Sequence, residues 1–147
     1  MTTRYVSNEL AFELPAVRAS IADRTIHELV VPGRESPCEL TLAVSRTRLQ
    51  SSLGEAVAHL HDEERRSLGA FEVSSSAVRP IGALEWIDTQ VSWKHPNGPV
   101  YHRRLHCQLG SLWMSITATA KLDNAAWADQ VAEHVVSTLR PRPQEDG

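Results

Sequence analysis

The sequence predicts an α/β fold of the α+β type: a mainly antiparallel β-sheet of about six strands packed with α-helices. Three observations predict it. Period-two alternation recurs in short segments along the chain, two other stretches carry apolar residues at helical spacing, and the later strand segments follow one another through turn residues rather than crossover helices. With 147 residues and 41% hydrophobic content, the chain can bury one substantial core, and it is read as a single domain over 1–147.

The elements follow in order. Leu10, Phe12 and Leu14 alternate with Ala11 and Glu13 before Pro15, which marks a half-buried first strand. A short irregular or helical stretch, 16–22, precedes a second strand at 25–31, rich in β-formers and closed by Pro32-Gly33. In 38–46, Leu40, Leu42 and Val44 share one face while Thr41, Ala43 and Ser45 share the other, so this third strand should pair with the second. Ser52 and Glu55 form a capping box that opens a helix of about four turns. Leu53, Ala56, Val57 and Leu60 make its apolar stripe, and Gly69 suits the left-handed residue after its end. Period two then returns through 71–78, 83–93, 100–109 and 111–120, an antiparallel meander in which Asn97-Gly98 and Gly110 mark hairpin turns. A final helix opens at Asp123 or Asn124, carries Ala128, Val131, Ala132, Val135 and Leu139 on one stripe, and ends before Pro141, leaving 141–147 as a frayed tail.

Composition excludes several functions. A net charge of −3 and a pI near 6.1 give no broad cationic surface for a phosphate backbone, so no nucleic-acid partner is expected. No basic region followed by an apolar run opens the chain, and no window approaches the ~20 apolar residues of a membrane span. A cytoplasmic protein that is not membrane-embedded is expected, with Cys38 and Cys107 as reduced core thiols. His59 and His61 point to nearly opposite sides of a helix, and His102 and His106 lie roughly 13 Å apart on a strand, so neither pair can share a metal ion. The glycines stand singly at turns rather than in a phosphate loop or nucleophile elbow. No catalytic residue, cofactor or metal is expected, and the chain is read as a non-enzyme.

The informative feature is the sheet face opposite the core. If Leu40, Leu42, Val44, Ile87, Val91, Leu105, Leu109, Met114 and Ile116 point toward the helices, the opposite face collects Thr41, Ala43, Ser45, Trp86, Asp88, Gln90, Ser92, Val100, His102, Arg104, His106, Gln108, Trp113, Ser115, Thr117 and Thr119. A solvated face normally carries Lys and Glu; this set has neither, although Glu39, Lys94 and Lys121 share its parity at strand ends. The segment 25–31 is apolar on both parities, so one of its sides must meet something other than the helices. Small side chains allow close backbone approach, and their hydroxyls suit an apolar helix bearing a few polar groups. A dimer interface would show the same pattern.

Several short motifs carry a resemblance: Tyr5-Val6-Ser7-Asn8-Glu9, Phe12-Glu13-Leu14-Pro15, Asp23-Arg24-Thr25 and Val44-Ser45-Arg46, in this order of elements. The chain from Tyr5 to Pro141 resembles the DcrB-like branch of the Mog1/PsbP fold and, within it, the effector-associated (Eag) chaperones of type VI secretion. The resemblance implies a homodimer whose cupped surface holds the apolar N-terminal transmembrane segments of an effector and helps load it onto a VgrG-type spike protein. The groove positions it implies are Ile26, Glu28, Thr41, Ala43, Ser45, Val100, His102 and Arg104; Glu28 falls in the row of Ile26, where an apolar residue would suit the guest better. Two other readings stay open: a homodimeric scaffold module with no transmembrane client, and a small-ligand or enzymatic domain with a pocket lined by His102, His106 and Trp113.

Overall fold

The computed structural model describes residues 3–6, 10–14, 21–22, 26–32 and 39–141, and side-chain surroundings from Leu40 to Leu139. The strands are β1 (Thr3–Val6), β2 (Leu10–Leu14), β3 (Ile21–Ala22), β4 (Ile26–Pro32), β5 (Glu39–Arg48), β6 (Gly69–Ile81), β7 (Leu84–His95), β8 (Gly98–Leu109), β9 (Leu112–Lys121) and β10 (Arg140–Pro141). The helices are α1 (Leu53–Ser67) and α2 (Ala125–Thr138). Seven strands form one antiparallel sheet in the order β3-β4-β5-β9-β8-β7-β6, and β1, β2 and β10 form a small second sheet. The expected pairing of the second and third predicted strands is the β4–β5 ladder, Ile26 opposite Ser45 through Pro32 opposite Glu39. Of the stretch 16–22, residues 21–22 are the short strand β3, and the rest lies outside the described residues, as do Cys38 and the tail beyond Pro141.

Helix α1 begins where the capping residues require. Ser52 keeps extended backbone while its Oγ accepts the Glu55 N–H at 3.2 Å. Its end differs from expectation: Leu68 and Gly69 turn directly into β6, and the left-handed residue is Ala70, at φ 50°. The register shift between Gly69 and Glu72 sets this conformation, since a bulge rather than a helix cap absorbs the change of direction. Ala70→Gly is therefore expected to stabilise the fold by about 0.5–1 kcal/mol, measured by urea unfolding, because only glycine adopts that φ freely.

Two-residue turns join β6 to β7 and β8 to β9, each with a glycine at positive φ (Gly82 63°, Gly110 62°). At the third hairpin the positive φ belongs to Gly98 alone, at 119°, while His95 pairs with Gly98 across Pro96-Asn97. The expected turn with Asn97 and Gly98 both at its centre is displaced by one residue, because Pro96 presets the φ of the first central position.

The chain leaves β5 in the middle of the sheet and re-enters at its far edge, β6, so the intervening α1 lies across one face; α2 follows β9 and covers the other. On the α2 face, Leu40, Leu42, Val44, Met114, Ile116, Ala118, Ala120, Leu105, Cys107 and Trp86 meet Ala128, Val131 and Val135. The two helices thus lie on opposite faces, which corrects the parity expected for β7. Trp86, Asp88, Gln90 and Ser92 face α2, opposite Cys107, Leu105, Arg103 and Tyr101, whereas Ile87 and Val91 share the other face with His106 and His102.

Candidate functional site

Cross-strand register resolves the second face into rows. One row runs Val30, Thr41, Thr119, His102, Val91; the next Glu28, Ala43, Thr117, Arg104, Thr89; the third Ile26, Ser45, Ser115, His106, Ile87. Burial changes sharply along them. Thr41, Ala43, Ser45, Ser115, Thr117 and Thr119 are only half-buried, while beyond them Arg104, His106, Thr89 and Val91 are sealed under α1. The face is therefore divided: a floor of small uncharged side chains on β5 and β9, and a roofed half on β7 and β8.

The floor runs four residue steps along each strand, from Thr41 to Ser45, and spans three strands once β4 is included, about 13 Å by 10 Å from strand geometry. That footprint matches the ~10–12 Å diameter of one α-helix with its side chains. Ser45 and Ser115 hydrogen-bond each other through their hydroxyls, which satisfies both without a charged group. Val100 is half-buried beside Trp93 and Lys121 in the row beyond Thr119.

The candidate groove residues thus separate. Positions 26 and 28 are in register with Ser45 and Ala43, so six of the eight candidates, Ile26, Glu28, Thr41, Ala43, Ser45 and Val100, lie on or beside the floor. His102 stands at its border, its ring edge-on to Trp93 at 4.5 Å and its Nδ1 accepting Arg104 Nε–H at 3.1 Å. Arg104 belongs to the roofed half: its guanidinium donates to both oxygens of α1 Glu64 at 2.6 Å, with 7% of the Arg104 side chain exposed. Burial, with Arg104 alongside, pushes the imidazoles of both His102 and His106 down to about 3. His106 Nδ1 accepts Trp113 Nε1–H at 3.1 Å. An open recess of about 700 Å³ lies elsewhere, lined by Leu53, Val78, Leu84 and Ile87 among others. Among the described residues no group of three or more His, Cys, Asp or Glu is placed to hold a metal, and no helix is long and apolar enough to cross a membrane.

The other face holds a polar cluster the sequence reading missed. Arg103 donates to Asp88 through Nε (2.5 Å) and Nη2 (2.6 Å), and reaches Asp129 (3.2 Å) and Glu133 (2.9 Å) on α2. Arg79 from the edge strand bonds Asp88 (3.0 Å) and Glu133 (2.8 Å), and Tyr101 Oη–H donates to Asp129 at 2.5 Å. Hydrogen bonding to Asp88 raises the Arg103 pKa further, burial and Asp129 raise the Tyr101 phenol, and Arg79 lowers Glu133. Every charge is answered, so the cluster clamps α2 to β6, β7 and β8. Its signal was Arg103 itself, a cation sharing strand parity with Leu105 and Cys107.

Comparison with known proteins places this geometry. The chain superposes on a Pseudomonas aeruginosa protein of unknown function, PA94, with TM-score 0.73 at 18% identity, covering 97% of this chain and 98% of that one. It superposes on LpqN of Mycobacterium tuberculosis, a protein involved in cell envelope biogenesis, with TM-score 0.69 at 12% identity over 97% and 91% of the two chains. For the cyanobacterial PsbP of Synechocystis the TM-score is 0.66 at 9% identity, over 96% and 92%. These likenesses establish a PsbP-like fold. No curated protein matches by sequence. The DcrB family model matches residues 9–138, nearly the whole chain, and the protein therefore belongs to the DcrB family.

Proposed function

We propose that this DcrB-family protein is a cytoplasmic chaperone of the effector-associated type, acting without catalysis. Its client is a type VI secretion effector whose apolar N-terminal transmembrane segments it shields and helps deliver to a VgrG-type spike protein, as a homodimer whose two floors form one cup. The observation that carries the reading is the floor itself: Thr41, Ala43, Ser45, Ser115, Thr117 and Thr119 are half-buried, uncharged and small, and with β4 in register beside them the surface reaches the width of one helix. Small residues let a helix backbone approach, and hydroxyls answer the occasional polar group that a transmembrane segment carries. A long charged side chain on this floor would oppose an apolar guest, because its carboxylate or ammonium would lose water without gaining a partner.

Co-expression with an effector fragment containing its transmembrane helices is expected to give a soluble complex. Ser45→Glu, in the third row of the floor, is expected to weaken it at least about tenfold, read by titration of a client peptide. Insoluble client in both cases, or equal affinity for both proteins, refutes the proposal. A dimer whose mass is unchanged by an apolar helical peptide would point instead to the client-free scaffold.

A further inference from the structure

The roofed half of the same face carries a feature that client binding does not require. Helix α1 buries only Val57 and His61 of its fifteen residues, whereas α2 buries Ala128, Val131, Ala132 and Val135 and is held by the charged clamp. Beneath α1 the contacts are polar and incompletely satisfied. His61 Nε2, Thr89 Oγ1 and His106 Nε2 are buried and make no hydrogen bond among the described residues. The strong polar contact there is the Arg104–Glu64 pair.

We propose that α1 is an acid-released lid: Arg104–Glu64 latches it over β8, and protonation of the flanking buried imidazoles His61 and His106 lifts it from the sheet. Each imidazole that gains a proton adds a cation beside Arg104, where only Glu64 is paired to answer it, and water reached by opening is the cheapest relief. The charged and titratable groups acting on the two rings are Arg104 from β8; Asp62, Glu64 and Arg65 from α1; Asp88 from the opposite face; and, on His106, His61 itself. Ring neighbours are Phe71 for His61 and Trp113 for His106. Lifting α1 would join His102, Arg104 and His106 to Thr119, Thr117 and Ser115 in their existing rows, widening the floor. That consequence for a client rests on the proposed function; the motion itself does not.

Both imidazoles are held below the ordinary value when the lid is closed, so closure is fully favoured above about pH 6.5 and weakens as pH falls below it. For His106, held to about 3, the closed-to-open ratio should fall about 30-fold between pH 7.5 and pH 5.

Amide hydrogen exchange on the full chain without client tests this, with protection corrected for the intrinsic pH dependence of exchange. Protection of α1 is expected to drop about 30-fold or more at pH 5 while α2 keeps its own, and His61→Gln with His106→Gln should abolish the difference. Equal protection of α1 at both pH values, parallel loss in α1 and α2, or an undiminished drop in the double variant would overturn the lid. If the double variant does not fold, the α1-against-α2 comparison in the unmodified chain decides alone.

Discussion

Replacing Arg103 by methionine is expected to lower the free energy of unfolding by about 3–5 kcal/mol, among the largest losses available to a single substitution in this protein. Asp88 is 7% exposed and takes two of its hydrogen bonds from Arg103. Without that guanidinium only Arg79 remains to it, while Asp129 and Glu133 on α2 lose the cation they share. The loss therefore reflects the buried Asp88 carboxylate stripped of its main partner more than the worth of the pair itself, Asp129 and Glu133 being partly solvated. The double variant Asp88→Leu/Arg103→Met should lose less than Arg103→Met alone, since removing both charges leaves a smaller imbalance. Urea unfolding with an unchanged m-value is the measurement; a loss under about 1 kcal/mol would mean that the clamp is solvated and does not hold α2.

The second large effect separates the two sheet faces. Leu105→Ala is expected to cost about 2–5 kcal/mol, because Leu105 is 1% exposed in the α2 core and its removal leaves a cavity. Thr117→Ala, on the neighbouring strand but in the floor, is expected to stay within about 0.5 kcal/mol. The two residues belong to adjacent rows of the same two strands, Leu105 opposite Ile116 and Thr117 opposite Arg104, so backbone context is nearly shared and only the covering differs. A loss for Thr117→Ala comparable to that for Leu105→Ala would show the floor to be part of a sealed core, and the proposed client site would fall with it. Thermal or urea denaturation of both variants in one buffer reads the comparison directly.

Much of this could be read before folding was considered. Leu40, Leu42 and Val44 alternate with Thr41, Ala43 and Ser45 because β5 has one face in the α2 core and the other in the open floor. Ser52 capped α1 as expected, and the stripe Ala128, Val131, Ala132 and Val135 is buried in α2. Strand β7 misled for the opposite reason. With α2 on one side and α1 on the other, Trp86, Asp88, Thr89 and Val91 are all buried, so both parities carry apolar and polar residues and period two gives no preference. Asp88 was placed on the face opposite the core because its partner Arg103 is fifteen residues away in sequence.

What the sequence determined alone was local: strands β2 and β4 to β9, the two helices, their order, the hairpins, and a β5–β9 surface of small hydroxyls and alanine, all set by interactions within a few residues or by strand parity, whereas the short strands β1, β3 and β10 carried no such signal. Tertiary structure decided which face each helix covers, that Arg104 is latched under α1 rather than open on the floor, and that Arg103, Asp88, Asp129 and Glu133 meet. Those outcomes depend on where α1 crosses the sheet between β5 and its far edge, a long-range choice fixed by burial and charge pairing between segments far apart in the chain.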